Sequence, residues 1–283
     1  MEDFSEYCAA GVSFSTEMVP ANDGISVRVI QFTPPKKNNN PAVLFVAGWV
    51  SLIDGWKHVL REMTRDFVVY YVETREKITS TATGKHEFGV ENISGDLAPV
   101  ILHYNLPEQN YVLFGSSLGA TAILDVCHLL PRAPRCLLLI GPNAVFRTPR
   151  WGLILVKMVP PAFVLAMMPI VKWYLRTFRL NIEEDYAQYE KYCNALDSAD
   201  PWKLKKGLLT LSKYQIWPLL SKIKIPTLIV GASKDTLHDP DNLHKMVELM
   251  PRASYLDLET NFKTHQAEVV VAFRNYLEEI KHC

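Results

Sequence analysis

The chain carries no surplus of either charge: thirty Lys and Arg face thirty Asp and Glu over 283 residues. That balance excludes a dedicated nucleic-acid binder, whose hold on phosphate needs a basic excess. Cysteine is sparse as well. Cys8, Cys127, Cys136, Cys193 and Cys283 are odd in number and scattered, with no C-x-x-C pair. They offer neither a disulfide framework nor a zinc site, and a reducing compartment suits them better than an oxidising one. Internal repeats are missing, and the one biased stretch is the polar turn Lys36-Lys37-Asn38-Asn39-Asn40. Met1-Glu2-Asp3-Phe4 is acidic where a signal peptide would be basic, and Lys281-His282-Cys283 is not a prenylation box. A cytoplasmic protein is expected, associated with a membrane only if an apolar stretch reaches one.

What is plentiful is apolar. Hydrophobic residues make up 48% of the chain, enough for a large core and too much for general disorder. The length suits two domains, or one α/β domain with an insertion. After the turn Asn22-Asp23-Gly24, Ile25 to Phe32 alternates loosely and reads as a strand of an antiparallel edge. Then come short, nearly continuous apolar runs at Pro41–Ala47, Phe67–Val72, Tyr111–Phe114, Cys136–Ile140, Thr227–Val230 and Tyr255–Leu258. Runs without alternation are covered on both faces, as in a parallel sheet. Helix-like segments separate them at Trp56–Met63, Gly95–Tyr104, Leu118–Leu130, Pro240–Met250 and Ala267–Ile280. The alternation implies a doubly wound α/β sheet with right-handed crossovers. It breaks once, from Phe146 to Ile225, where helical stretches at Glu183–Leu196 and Trp202–Ser212 replace any strand. Residues 1–145 and 226–283 thus form a core domain, and 146–225 an inserted helical cap.

Gly115-Ser116-Ser117-Leu118-Gly119 follows a strand and opens a helix, the setting in which G-x-S-x-G has chemical meaning. The turn is sharp, and side chains at the glycine positions would collide with neighbouring backbone. Ser117 is thereby held with its hydroxyl at a helix N-terminus, where developing negative charge is favoured. A serine nucleophile needs a base, and the base needs an orienting acid. Asp235 lies just past the strand Thr227–Val230, at the edge where open α/β sheets gather their catalytic groups. Asp239 and Asp241 compete, but Asp239 precedes Pro240 and reads as a helix N-cap. Of eight histidines, His265 alone sits in a loop after a late strand; His238 and His244 flank or occupy the helix after Asp235. His265 is the expected base.

The order Ser117, Asp235, His265, the elbow, and the inserted cap resemble the α/β-hydrolase superfamily, and the likeness covers nearly the whole chain. It implies a mostly parallel sheet of about eight strands with the site beneath the cap. It further implies two oxyanion donors, the N–H of Leu118 and one from the loop Ala47-Gly48-Trp49-Val50, for which Trp49 is the candidate. Gly48, Ser116 and Arg75 are expected on the substrate side. The chain departs from the superfamily in the loop Glu73-Thr74-Arg75-Glu76-Lys77-Ile78-Thr79-Ser80, where charges stand in place of glycines. Arg75 or Lys77 there either meets an anionic substrate group or belongs to a solvated charge cluster.

The cap holds thirteen Lys/Arg against six Asp/Glu, an excess that the rest of the chain cancels. Trp151 to Val171 contains one charge, Lys157. Three readings stay open: an apolar lid over a greasy pocket, a lid that also rests on an anionic bilayer through Lys172, Arg176 and Arg179, or a true span. Pro160-Pro161 and Pro169 disfavour the span. The expected activity is hydrolysis of a carboxylic ester or thioester with a hydrophobic acyl or alkyl part, needing no metal or organic cofactor. The alternatives are acyl transfer, C–C hydrolysis or a lyase reaction at the same site, or a non-catalytic ligand-binding relative.

Overall fold

A computed structural model describes the chain except residues 1, 85, 147–149, 181, 183–185, 236–237 and 282–283. Glu183, taken as a helix start, and Cys283 lie outside the described residues. The strands are β1 (Ser13–Pro20), β2 (Ile25–Thr33), β3 (Ala42–Val46), β4 (Val69–Glu73), β5 (Thr81–Ala82), β6 (Tyr111–Ser116), β7 (Cys136–Ile140), β8 (Thr227–Gly231) and β9 (Ala253–Asp257). They form one sheet in the order β1-β2-β4-β3-β6-β7-β8-β9, with the two-residue β5 beside β2. β1, β2 and β4 pair antiparallel, and every neighbour from β4 through β9 pairs parallel. This is the α/β-hydrolase fold.

The continuous apolar runs follow from burial on both sides of the sheet. In β7, Cys136, Leu138 and Ile140 join one core cluster, while Leu137 and Leu139 join the other. β3, β6 and β8 divide in the same way. α1 (Lys57–Met63) covers one face; α2 (Val90–Gly95), α3 (Leu97–His103) and α4 (Leu118–Val126) follow, the last two packing on the opposite face. β1 had no apolar run to betray it: it is an edge strand in which only Val19 is buried. β3 has β4 on one side and β6 on the other, so the connections leaving β3 and β6 diverge. Such a switch point opens a crevice at the carboxyl ends of the strands, which positions the site.

Between β7 and β8 the chain builds α5 (Arg150–Met158), α6 (Pro161–Val164), α7 (Met168–Tyr174), a π-helical turn (Leu175–Arg179), α8 (Tyr186–Asp197), α9 (Pro201–Leu211) and α10 (Trp217–Leu220). Val164, Met168, Ala195, Leu196 and Leu204 form their own small core around Val50 from the loop after β3. A bridge between Val145 and Gln215, backed by Ile216 N–H donating to Ala144 O at 3.1 Å, joins the two ends of the insertion. Beyond it, Ile216, Leu220 and Ile223 pack into the core of the sheet, although the sequence grouped them with the cap. The chain ends with α11 (Pro240–Leu249), α12 (Asn261–Thr264) and α13 (Ala267–Glu279). Among the described residues no helix is long and apolar enough to cross a membrane.

Candidate active site

Ser117 sits between β6 and α4 with φ +50° and ψ −115°, a region that a non-glycine residue enters only under strain. The surroundings enforce it. Ser117 N–H donates to Ile140 O at 2.8 Å, and Thr121 N–H donates to Ser117 O at 3.0 Å. A Cβ on Gly119 would stand 2.1 Å from Val46 O, and one on Gly115 would stand 2.8 Å from the Ala120 backbone. Both positions therefore require glycine, and the helix start is pressed onto the end of β3.

Two side chains reach the Ser117 hydroxyl. Asn143 Nδ2 donates to Oγ at 3.0 Å, and His238 Nε2 lies 3.1 Å from the same oxygen. His238 Nδ1 is 2.8 Å from Asp235 Oδ2. The donors and acceptors assign themselves: Oγ accepts from Asn143 and donates to Nε2, and Nδ1–H donates to the carboxylate. His238 comes this close because Gly141, at φ +50°, leaves the room; a Cβ there would be 3.0 Å from the ring. Asp235 is buried, and its Oδ2 also accepts from Asn261 Nδ2 at 3.1 Å. Lys191 Nζ donates to Asn261 Oδ1 at 3.0 Å. The contacts thus run unbroken from Lys191 through Asn261, Asp235 and His238 to Ser117.

His265 is not brought to Ser117. Its ring stacks on Trp56 with centroids 4.2 Å apart, Nδ1 lies 3.0 Å from Asn261 O, and Nε2 lies 3.1 Å from Lys191 Nζ. With Nδ1–H given to a carbonyl, the Nε2 lone pair accepts from the ammonium and is not free to take a proton from serine. Desolvation, and then the Lys191 charge, hold this imidazole well below the ordinary value of 6.5, in the neutral form. The expectation that set His238 aside thus gives way in the geometry: the imidazole against the hydroxyl comes from the loop of Asp235 itself. The spacing Asp-x-x-His beyond a strand end was the signal that could have found it.

The loop after β3 closes on Ser117. A Cβ on Gly48 would lie 3.4 Å from Ser117 Cβ, and Ser51 N–H turns back to Gly48 O at 3.1 Å. Val50 takes φ +48°, an outlier for a β-branched residue and a mark of a loop held by its surroundings. Gly48, Trp49 and Ser116 all line the cavity in front of Ser117. Leu118 opens α4, where the first N–H groups lack intrahelical acceptors.

Arg75 does not line it. Its side chain is fully buried, with Nε and Nη2 on the two Asp96 oxygens at 2.7 and 2.5 Å and Nη1 on Glu87 O at 3.2 Å. Lys77 is buried too, its Nζ 5.6 Å above the Tyr71 ring. Desolvation lowers its pKa, against the neighbouring Glu76 and Glu73 charges. The charged loop is thus internal framework, neither substrate contact nor solvated cluster. Its partner, Asp96, is 21 residues away, a pairing that no local pattern announces. The loop also anchors the insertion: Lys203 Nζ on α9 donates to Lys77 O at 2.6 Å and to Ser80 O at 3.1 Å.

The cavity holds about 650 Å³ and is walled mainly by apolar side chains of the insertion, among them Val156, Val164, Met168 and Leu204. An elbow serine at the switch point of a mostly parallel sheet, roofed by helices inserted after β7, defines an α/β hydrolase. Residues 38–258 match the family model described as Serine aminopeptidase, S33, and the chain belongs to this α/β-hydrolase family. No curated protein matches the sequence. Among solved structures, a hydrolase from Pseudomonas aeruginosa PA01 is 16% identical at a TM-score of 0.73, over 97% of this chain and 100% of that one. A thermophilic esterase from Thermogutta terrifontis is 20% identical at 0.71, over 95% and 99%. An enol-lactonase from Burkholderia xenovorans LB400 is 14% identical at 0.74, over 95% and 100%. At these identities the likeness speaks for the fold.

Proposed function

We propose that the chain is a serine hydrolase of carboxylic esters or thioesters with a hydrophobic acyl or alkyl part. The single observation that carries this reading is the contact chain of hydroxyl, imidazole and carboxylate, 3.1 and 2.8 Å long, at the mouth of an apolar cavity. Ser117 attacks the carbonyl as His238 Nε2 takes its proton. Asp235 holds the imidazole in the Nδ1–H tautomer and stabilises the imidazolium that forms. The Leu118 and Trp49 N–H groups receive the oxyanion, each such donor contributing about 3 kcal/mol to the transition state. His238 then protonates the leaving group, and water attacks the acyl-enzyme with the same imidazole as base. Asn143 fixes the Ser117 rotamer from the other side. The apolar walls favour a greasy substrate over a peptide with a charged amino end.

A fluorophosphonate probe tests the reading. Wild type labels, whereas Ser117→Ala does not and loses roughly six orders of magnitude in turnover of p-nitrophenyl esters of graded chain length. A Ser117→Ala variant with normal turnover removes the serine from the mechanism.

A further inference from the structure

Outside the catalytic chain, the most unusual surface is the outer face of the insertion. Among the described residues, eight large apolar side chains between Trp151 and Phe178 are 48% to 77% exposed. They are not scattered. Trp151, Ile154 and Met158 recur at helical spacing along one side of α5. The Trp151 ring lies 6.0 Å from Tyr174, Tyr174 lies 5.6 Å from Phe178, and Phe178 lies 5.5 Å from Trp173. The aromatic rings therefore run continuously from α5 across α7 into the π-helical turn. A soluble protein seldom leaves so many large apolar groups together in water without a partner for them.

Charge says which partner. From Trp151 to Leu180 the chain has Lys157, Lys172, Arg176 and Arg179 and not one Asp or Glu. Lys157 and Arg176 are exposed; Lys172 is paired with Asp197 at 2.6 Å from outside the stretch; the Arg179 side chain lies outside the described residues. Two copies of such a face would set cation against cation. An anionic lipid surface complements it: indole and phenyl groups settle at the headgroup level, and each basic residue strengthens binding by about fivefold. The helices are too short to cross, so they would lie in the interface. The face is also continuous with the cavity, because Trp151 and Ile170, each half exposed, line its wall.

We propose that α5, α6, α7 and the turn after them dock this protein on a bilayer containing anionic lipid, with the cavity above Ser117 opening against the lipid. That the cavity then draws its substrate from the bilayer rests on the hydrolase reading; the docking does not. Whole protein is sedimented with vesicles of phosphatidylcholine containing about one third phosphatidylserine, at low salt and at about 0.5 M salt. Wild type is expected to sediment at low salt and to release partly at high salt. Trp173→Glu with Phe178→Glu, neither of which lines the cavity, lowers partition at least tenfold while circular dichroism and fluorophosphonate labelling persist. Lys157→Glu with Arg176→Glu weakens binding to the anionic vesicles about tenfold or more and leaves pure phosphatidylcholine unaffected. Failure of wild type to sediment at low salt overturns the proposal, as does equal binding by the aromatic variant. A dimer in light scattering that Trp173→Glu dissolves, without vesicle binding, assigns the face to a second copy and overturns it as well. Vesicle binding without probe labelling overturns the hydrolase reading alone.

Discussion

Two loops leave the carboxyl edge of the sheet side by side, one after β8 and one after β9, and each carries a histidine. In the first, Asp235 and His238 are three residues apart; the carboxylate meets the imidazole, and the imidazole meets Ser117. In the second, Asn261 touches the carboxylate while His265 turns to Trp56 and Lys191. A position late in the chain is therefore a weaker guide to a base than the destination of its two ring nitrogens. His238 is the one whose Nδ1 meets an anion and whose Nε2 meets a hydroxyl. His265 has a carbonyl on one side and an ammonium on the other.

Removing each histidine in turn is the most direct way to break this comparison. His238→Ala should reduce ester turnover by about 10⁴-fold or more, whereas His265→Ala should cost less than about tenfold. The reverse ranking in steady-state kinetics would move the base to the second loop. Asp235→Asn should lower kcat by roughly 10⁴-fold, because the amide favours the wrong imidazole tautomer; a loss confined to KM would contradict its orienting role. Asn261→Ala removes one donor from the Asp235 carboxylate and should cost about tenfold in kcat with KM little changed. An unaltered pH–rate profile in that variant would mean that the second loop contributes nothing to the first. The smallest effect lies in stability. The His265 imidazole is held well below 6.5 in the folded chain. On acidification below that value the unfolded chain takes up a proton that the folded one refuses, so stability falls as pH falls. His265→Gln should flatten this slope between about pH 7 and pH 5 in denaturant titrations, and an unchanged slope would place its origin elsewhere.

Much of the frame was legible because it obeys local rules. Parallel strands buried on both faces appear as unbroken apolar runs, so β3, β6, β7 and β8 were located to within a residue or two. Gly115 and Gly119 announced the elbow, since no other residue fits those contacts. Asp239 reads as a helix cap, and it is one, accepting from Asp241 N–H at 3.1 Å. What stayed hidden depends on pairings between distant segments. Arg75 finds Asp96 in the interior, and His238 fits only because Gly141 clears space beside it. Asn143, just after β7, has no carboxylate to mark it in a search for an acid, yet an amide is what Ser117 Oγ can accept from.

The bridge between Val145 and Gln215 has a consequence for how such a chain can diversify. The polypeptide departs from the sheet and comes back at one bridge, so residues can be added between the two ends at little cost in loop-closure entropy. The roof can be lengthened or trimmed away from Lys191 and Lys203, which tie it to Asn261 and to Lys77 and Ser80, while the serine, the imidazole and the carboxylate keep their places. A fixed floor below and an adjustable ceiling above would let one scaffold change what it admits without changing the groups that face it.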